Sequence, residues 1–178
     1  MQRRKDNLRL LAALFLLTGL MSLLVPNFLT RGNLLDIIRL NSIKGMMSIA
    51  MTLVLLTGGI DLSVGSTFAL SGAVTASLLV GGYSDYITSN LFKCPVIAAI
   101  ALGLLAAGCI GLVNGLMITK LKVEPFIATL AMMIFARGLT YLYTGGYPIN
   151  FQPIPKHFAW LGKGYAGFIP APAILFIL

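Results

Sequence analysis

Charge is scarce in this chain, and that scarcity decides its class. Only 10% of its 178 residues are Asp, Glu, Lys or Arg, against about 25% in an ordinary soluble domain. A water-facing surface cannot be assembled from so few charges around a core of this size. Acid is scarcer still, with five Asp and Glu against 13 Lys and Arg, a net charge of +8. Such an excess raises nucleic-acid binding as a function. The basic residues are dispersed, however, and their densest group, Arg3, Arg4, Lys5 and Arg9, stands just before an apolar run. The positive-inside rule puts them there, so nucleic acid is not expected as a partner. Histidine occurs once, at His157, and cysteine twice, at Cys94 and Cys109, with no CxxC. No nucleophile–base pair and no metal-ligand spacing can be drawn from this set, so no catalytic residue, cofactor, metal site or disulfide is expected. Cys109 lies inside an apolar run, where it reads as a small hydrophobe.

Apolar residues are plentiful: 58% of the chain, with a mean hydropathy of +0.93. They fall into six runs separated by polar breaks: Leu10–Val25, Gly45–Ile60, Leu62–Ser84, Cys94–Thr119, Pro125–Tyr143 and Gly164–Leu178. A membrane span needs about 20 mostly apolar residues. The third and fourth runs meet this outright, and the first, second and fifth meet it once flanking Arg and Lys snorkel. Residues Asn33–Ile43 either extend the second helix or form an amphipathic lead-in. The sixth run reaches the last residue without a polar flank. The pattern predicts an all-α polytopic transmembrane bundle of about six spans. The first run is read as a retained span, because Pro26-Asn27-Phe28-Leu29 offers no small-residue cleavage site. With the basic N-terminus in the cytoplasm, Lys120 and Lys122 also fall inside, and 84–93 and 145–163 fall outside. Trp160 in the last outer segment suits an interfacial anchor, and His157 reads as surface.

Three stretches carry more than hydropathy. Thr57-Gly58-Gly59-Ile60-Asp61-Leu62-Ser63-Val64-Gly65-Ser66 joins two apolar runs with only Asp61 as a charge. This composition predicts a broken-helix turn over 57–66, whose freed backbone groups need protein or water partners. Asp61 and Ser63 are good N-cap residues for the next helix. A carboxylate at membrane depth costs about 2.5–3.5 kcal/mol on insertion scales, so Asp61, Ser63 and Ser66 are also candidates to line a polar path or gate. No Gly-Lys-Ser/Thr follows, so this is not a phosphate loop. In the fourth run, Ala107, Gly111 and Gly115 recur every four residues and read as a helix-packing face, as do Gly58, Gly59 and Gly65 at the turn. Asn114, the only side-chain amide of that run, reads as a bond to a neighbouring helix or as a path residue. In the fifth run Arg137 lies about 16 Å along a helix begun at Phe126. It shares a stripe with Thr129, Met133, Thr140, Tyr141 and Thr144. It either pairs with carbonyls or a carboxylate such as Asp61, or lines the path.

These residues bring a family into view. Thr57–Ser66 resembles the TGGIDLSVGS signature of the permease subunits of monosaccharide ABC importers of the ribose type. Gly111–Gly115 followed by Lys120–Leu130, then Ala136–Leu139 and Thr144–Gly146, are similar to later blocks of that family in the same order. Glu124 departs from it. The resemblance implies a non-enzymatic transport subunit of a bacterial inner membrane, passing a ribose-, galactose- or galactofuranose-type sugar. It implies a periplasmic sugar-binding protein, a cytoplasmic ABC ATPase and a second permease subunit, as homodimer or heterodimer, as partners. It also implies roughly twice this length, enough for about ten spans of about 20 residues and their loops. On that expectation residues 1–9 are a cytoplasmic basic N-terminus and 10–178 a transmembrane permease domain truncated in its sixth span. The ATPase coupling loop would then be missing, and these residues alone would not transport. Other solutes (a nucleoside, a branched-chain amino acid, a furanose signal) and a non-transporting membrane fragment are the competing readings.

Overall fold

The computed structural model describes residues 2–80, 94–149 and 154–177. Helices dominate: α1 (Gln2–Leu24), α2 (Arg31–Leu56), α3 (Val64–Val80), α4 (Val96–Thr119), α5 (Pro125–Thr144), α6 (Lys156–Lys163) and α7 (Ala171–Ile177). The only strands among the described residues are β1 (Tyr165–Ala166) and β2 (Ile169–Pro170), paired antiparallel. Four helices are long and apolar enough to cross a membrane, within Asn7–Leu24, Arg31–Leu56, Val96–Thr119 and Pro125–Thr144. The all-helical membrane bundle expected from the apolar runs is therefore what the chain forms.

Sequence boundaries and helix boundaries agree closely at the fourth and fifth runs, and at the end of the first, where the helix starts earlier, at Gln2. At the second, the polar lead-in is part of one continuous helix of 26 residues. Thr30 starts that helix: its Oγ1 accepts from Asn33 N at 3.5 Å and its carbonyl from Leu34 N at 3.0 Å. The third run is shorter as described, 17 residues from Val64. Its expected outer end, and Asp85 and Lys93 beyond it, lie outside the described residues. The sixth run differs most. Gly164–Pro170 forms a hairpin with Gly167 at φ 66°, and helix begins only at Ala171. Its hydropathy suits a span, but Gly164, Gly167, Pro170 and Pro172 favour a turn and a late helix start over an uninterrupted span.

Two units make up the chain, 1–45 with 163–178 and 46–162. In the first, the Arg31 guanidinium lies 5.2 Å from the centre of the Phe168 ring, a cation–π distance. Gly45 there leaves room for the Phe176 ring, since an added Cβ would come within 2.5 Å of it.

In the second unit α3 packs against both α4 and α5. Leu70 of α3, Ile110 of α4 and Met132 and Ala136 of α5 make one buried cluster. Leu78 and Leu79 make a second with Ala99. The closest crossing lies at Gly103, where an added Cβ would stand 2.0 Å from Thr75 Oγ1 and 2.8 Å from the Ser71 carbonyl. Gly111 and Gly115, expected to pack another helix, have no atom within 4 Å of such a Cβ. The close crossing of α4 lies about two turns earlier, at Gly103 on the same four-residue row. Outward positions are strongly apolar: Ile97, Leu104, Leu112, Ile134 and Leu142 are all more than 60% exposed. Exposed apolar surface on that scale belongs against lipid or other membrane helices. Cys109 is exposed on α4 rather than packed in the unit, and neither cysteine forms a disulfide among the described residues.

Candidate functional site

The seam between α2 and α3 is built by two back-to-back helix ends. Leu56 closes α2, and the next residues form a Schellman stop. Gly59 N donates to the Val54 carbonyl at 3.3 Å and Gly58 N to the Leu55 carbonyl at 3.0 Å. Gly58 holds φ 77°, a left-handed conformation in which a side chain is strained. Gly58→Ala is expected to lower stability by about 1–2 kcal/mol. The check is a drop in the melting temperature of the detergent-solubilised protein.

From Ile60 to Ser63 the chain is extended, and α3 begins at Val64. Asp61 folds back on this entry. Its Oδ1 accepts from Ser63 N at 2.7 Å and from Ser63 Oγ at 2.6 Å, an Asx turn reinforced by a hydroxyl. The Ser63 carbonyl accepts from Thr67 N at 2.9 Å and Ser66 Oγ at 2.8 Å. Two neighbouring helices then clasp the seam. From α4, Asn114 Nδ2 donates to Ser63 Oγ at 2.9 Å. From α5, the Thr129 hydroxyl lies 3.1 Å from the Ile60 carbonyl, sharing its one proton with the Pro125 carbonyl at 2.8 Å. The broken turn between α2 and α3 thus becomes a tertiary junction with α4 and α5.

Proton counting fixes the amide's orientation. Ser63 has one hydroxyl hydrogen, and it goes to the Asp61 carboxylate, which only accepts. Asn114 must present its NH2 to Ser63, leaving Oδ1 as the odd atom. That oxygen is buried without a hydrogen-bond partner among the described residues, in a residue only 5% exposed. An unmade buried acceptor costs about 1–3 kcal/mol, so its retention is a feature to explain.

Two cavities flank the junction. One, of about 270 Å³, is bordered by Asp61, Asn114, Thr129 and Thr57 with Gly111 and Gly115. The other, of about 280 Å³, is bordered by Asp61, Ser63, Gly111 and Ala107 among others. Gly111 and Gly115 therefore open space for these cavities. Gly65 is exposed and Gly59 sits in the Schellman stop. Ser66 is 1% exposed and borders neither cavity.

Arg137 stands apart from this junction. It is exposed on α5 and borders a third cavity, of about 400 Å³, with Thr140, Tyr141 and Thr144 against Gly72 and Ala76 of α3. Asp61 is not its partner, and no hydrogen bond or ion pair to Arg137 occurs among the described residues. The structure thus brings Asp61, Ser63 and Asn114 together and leaves Arg137 at a separate cavity. Thr129, legible beforehand only as one position of a stripe, belongs to the junction. Among the described residues no group of three or more His, Cys, Asp or Glu could hold a metal.

A multi-pass membrane protein with a helix broken at an acidic, glycine-rich seam is the class these features define. Residues 33–176 match the family described as the permease component of branched-chain amino acid transport systems, and the chain belongs to that family. It is 45% identical over 165 residues to the ribose import permease protein RbsC of Bacillus subtilis (strain 168), covering 93% of this chain and 48% of that protein. Against the protein of the same name from Escherichia coli (strain K12) it is 44% identical, covering 91% and 48%. Against the galactofuranose transporter permease protein YtfT of Escherichia coli (strain K12) it is 38% identical, covering 94% and 48%. The chain spans about half the length of these relatives. No solved structure matches it.

Proposed function

We propose that the chain is part of the membrane subunit of an ATP-driven monosaccharide importer. It sits in a bacterial inner membrane with residues 1–9 in the cytoplasm and the permease domain from residue 10 onward. A periplasmic binding protein delivers the sugar, a cytoplasmic ATPase drives the cycle, and a second permease subunit completes the path. The observation carrying this reading is the seam itself: a carboxylate and a buried amide oxygen beside a cavity of about 270 Å³, deep in an apolar helical unit. Hydroxyl-rich solutes match such a lining, and relatives named for ribose and galactofuranose support the same class. Asp61, Ser63 and Asn114 act at the seam, and Arg137 lines a second part of the path.

Branched-chain amino acids are the second reading, since the matching family's description names them. Uptake by the full-length protein, expressed with its ATPase and binding protein, separates the two. Unlabelled pentoses or hexoses are expected to compete for transport and leucine is not. Competition by leucine alone would reverse the assignment.

A further inference from the structure

The cavity beside Asp61 and Asn114 has an unusual hydrogen-bond balance. Its hydroxyl donors are already engaged, Thr57 Oγ1 on the Val54 carbonyl and Thr129 Oγ1 between two carbonyls, and Gly58 N and Gly59 N are held in the helix stop. Asn114 Nδ2 gives one of its two hydrogens to Ser63. Acceptors are left over. Asp61 uses Oδ1 for both Ser63 bonds and keeps Oδ2, and Asn114 Oδ1 has no partner among the described residues. A lining with engaged hydroxyls and spare side-chain acceptors favours a guest that donates.

We propose that this cavity is a hydroxyl-binding station, at which Asp61 Oδ2 and Asn114 Oδ1 accept from adjacent hydroxyls of the transported solute. The proposal rests on the sugar-importer reading and adds the atoms that recognise the sugar. The amide oxygen is covered in this conformation, so the hydroxyl reaches it as the Asn114 side chain shifts into the cavity it borders. The same shift lengthens the Asn114–Ser63 bond. Occupation of the station therefore loosens the clasp on the seam. The small residues Gly111 and Gly115 keep the approach open, since a Cβ added at either would meet no atom within 4 Å among the described residues.

Asp61→Asn tests this without disturbing the turn. The amide keeps an oxygen toward Ser63 and replaces the second carboxylate oxygen, an acceptor, by an NH2 donor. Maximal uptake rates are measured for the natural sugar and for analogues with one hydroxyl at a time replaced by fluorine, which accepts but does not donate. The full-length permease, its ATPase and one binding protein are used throughout, so differences between permease variants isolate the permease. Wild type is expected to discriminate at least about tenfold against one or two analogues, the value of a hydrogen bond to a charged group. In Asp61→Asn that discrimination collapses toward unity while other analogues keep their ranking. An identical pattern in variant and wild type overturns the proposal. Should Asp61→Asn fail to accumulate, Asn114→Thr, which keeps a donor toward Ser63 and removes the amide oxygen, is read the same way. A wild-type permease that imports no sugar overturns the importer reading itself, and this proposal with it.

Discussion

Gly103→Ala is expected to weaken the bundle more than any other single-methyl change in α4. The added carbon would stand 2.0 Å from Thr75 Oγ1, and the Ser71 backbone carbonyl at 2.8 Å has no rotamer by which to move aside. The helices must separate, which loosens Leu78 and Leu79 against Ala99 one turn away. Overpacking of this kind costs about 1–3 kcal/mol. Thermal melting in detergent measures it. Adding Thr75→Ala should recover part of the loss, because the nearest atom goes but the carbonyl stays. Gly111→Ala and Gly115→Ala are the controls, with open space at both positions. Equal melting for Gly103→Ala and wild type would sink the crossing described here.

The second large effect is expected at Arg137, on transport rather than on folding. Pro125 to Arg137 is about 18 Å along α5, near the middle of a membrane span. A guanidinium at that depth costs about 2.5–3.5 kcal/mol on insertion scales and persists where it faces protein or water. It has no partner among the described residues and borders a cavity of about 400 Å³ with Thr140 and Tyr141. Replacing it by Gln removes the charge and keeps a donor. The full-length Arg137→Gln protein should accumulate in membranes at or above the wild-type level, since insertion becomes easier. Sugar uptake should fall at least about tenfold, the value of one hydrogen bond from a charged group. Paired immunoblots and uptake assays read both quantities. Reduced abundance with uptake per molecule unchanged would assign Arg137 a structural pairing instead.

Much of the fold was legible because lipid imposes a simple code. Charge-free runs located α4 and α5 nearly to the residue and the apolar parts of α1 and α2, and Asp61 between glycines announced the broken turn. What periodicity could not supply was distance across the chain. Asn114 reaches Ser63 from 51 positions away, and Thr129 reaches Ile60 from 69. No local pattern predicts which amide or hydroxyl a seam will meet. The Schellman stop was available: a glycine directly after the last apolar turn of α2 is its usual sign. The hairpin at 165–170 was also signalled by its glycines and prolines, and hydropathy alone concealed it.

The span of chain between Ser63 and Asn114 also sets a clock. Ribosomes add about 5–20 residues per second, so Asn114 is made some 3–10 s after Ser63. Thr129 follows later still. Throughout that interval the acidic turn must enter or wait beside the membrane with neither clasp in place. Its Asx turn and the Schellman stop are local, so they can form at once and hold the bend until the later helices arrive. Pausing translation between these two positions would prolong this vulnerable stage without altering the finished protein.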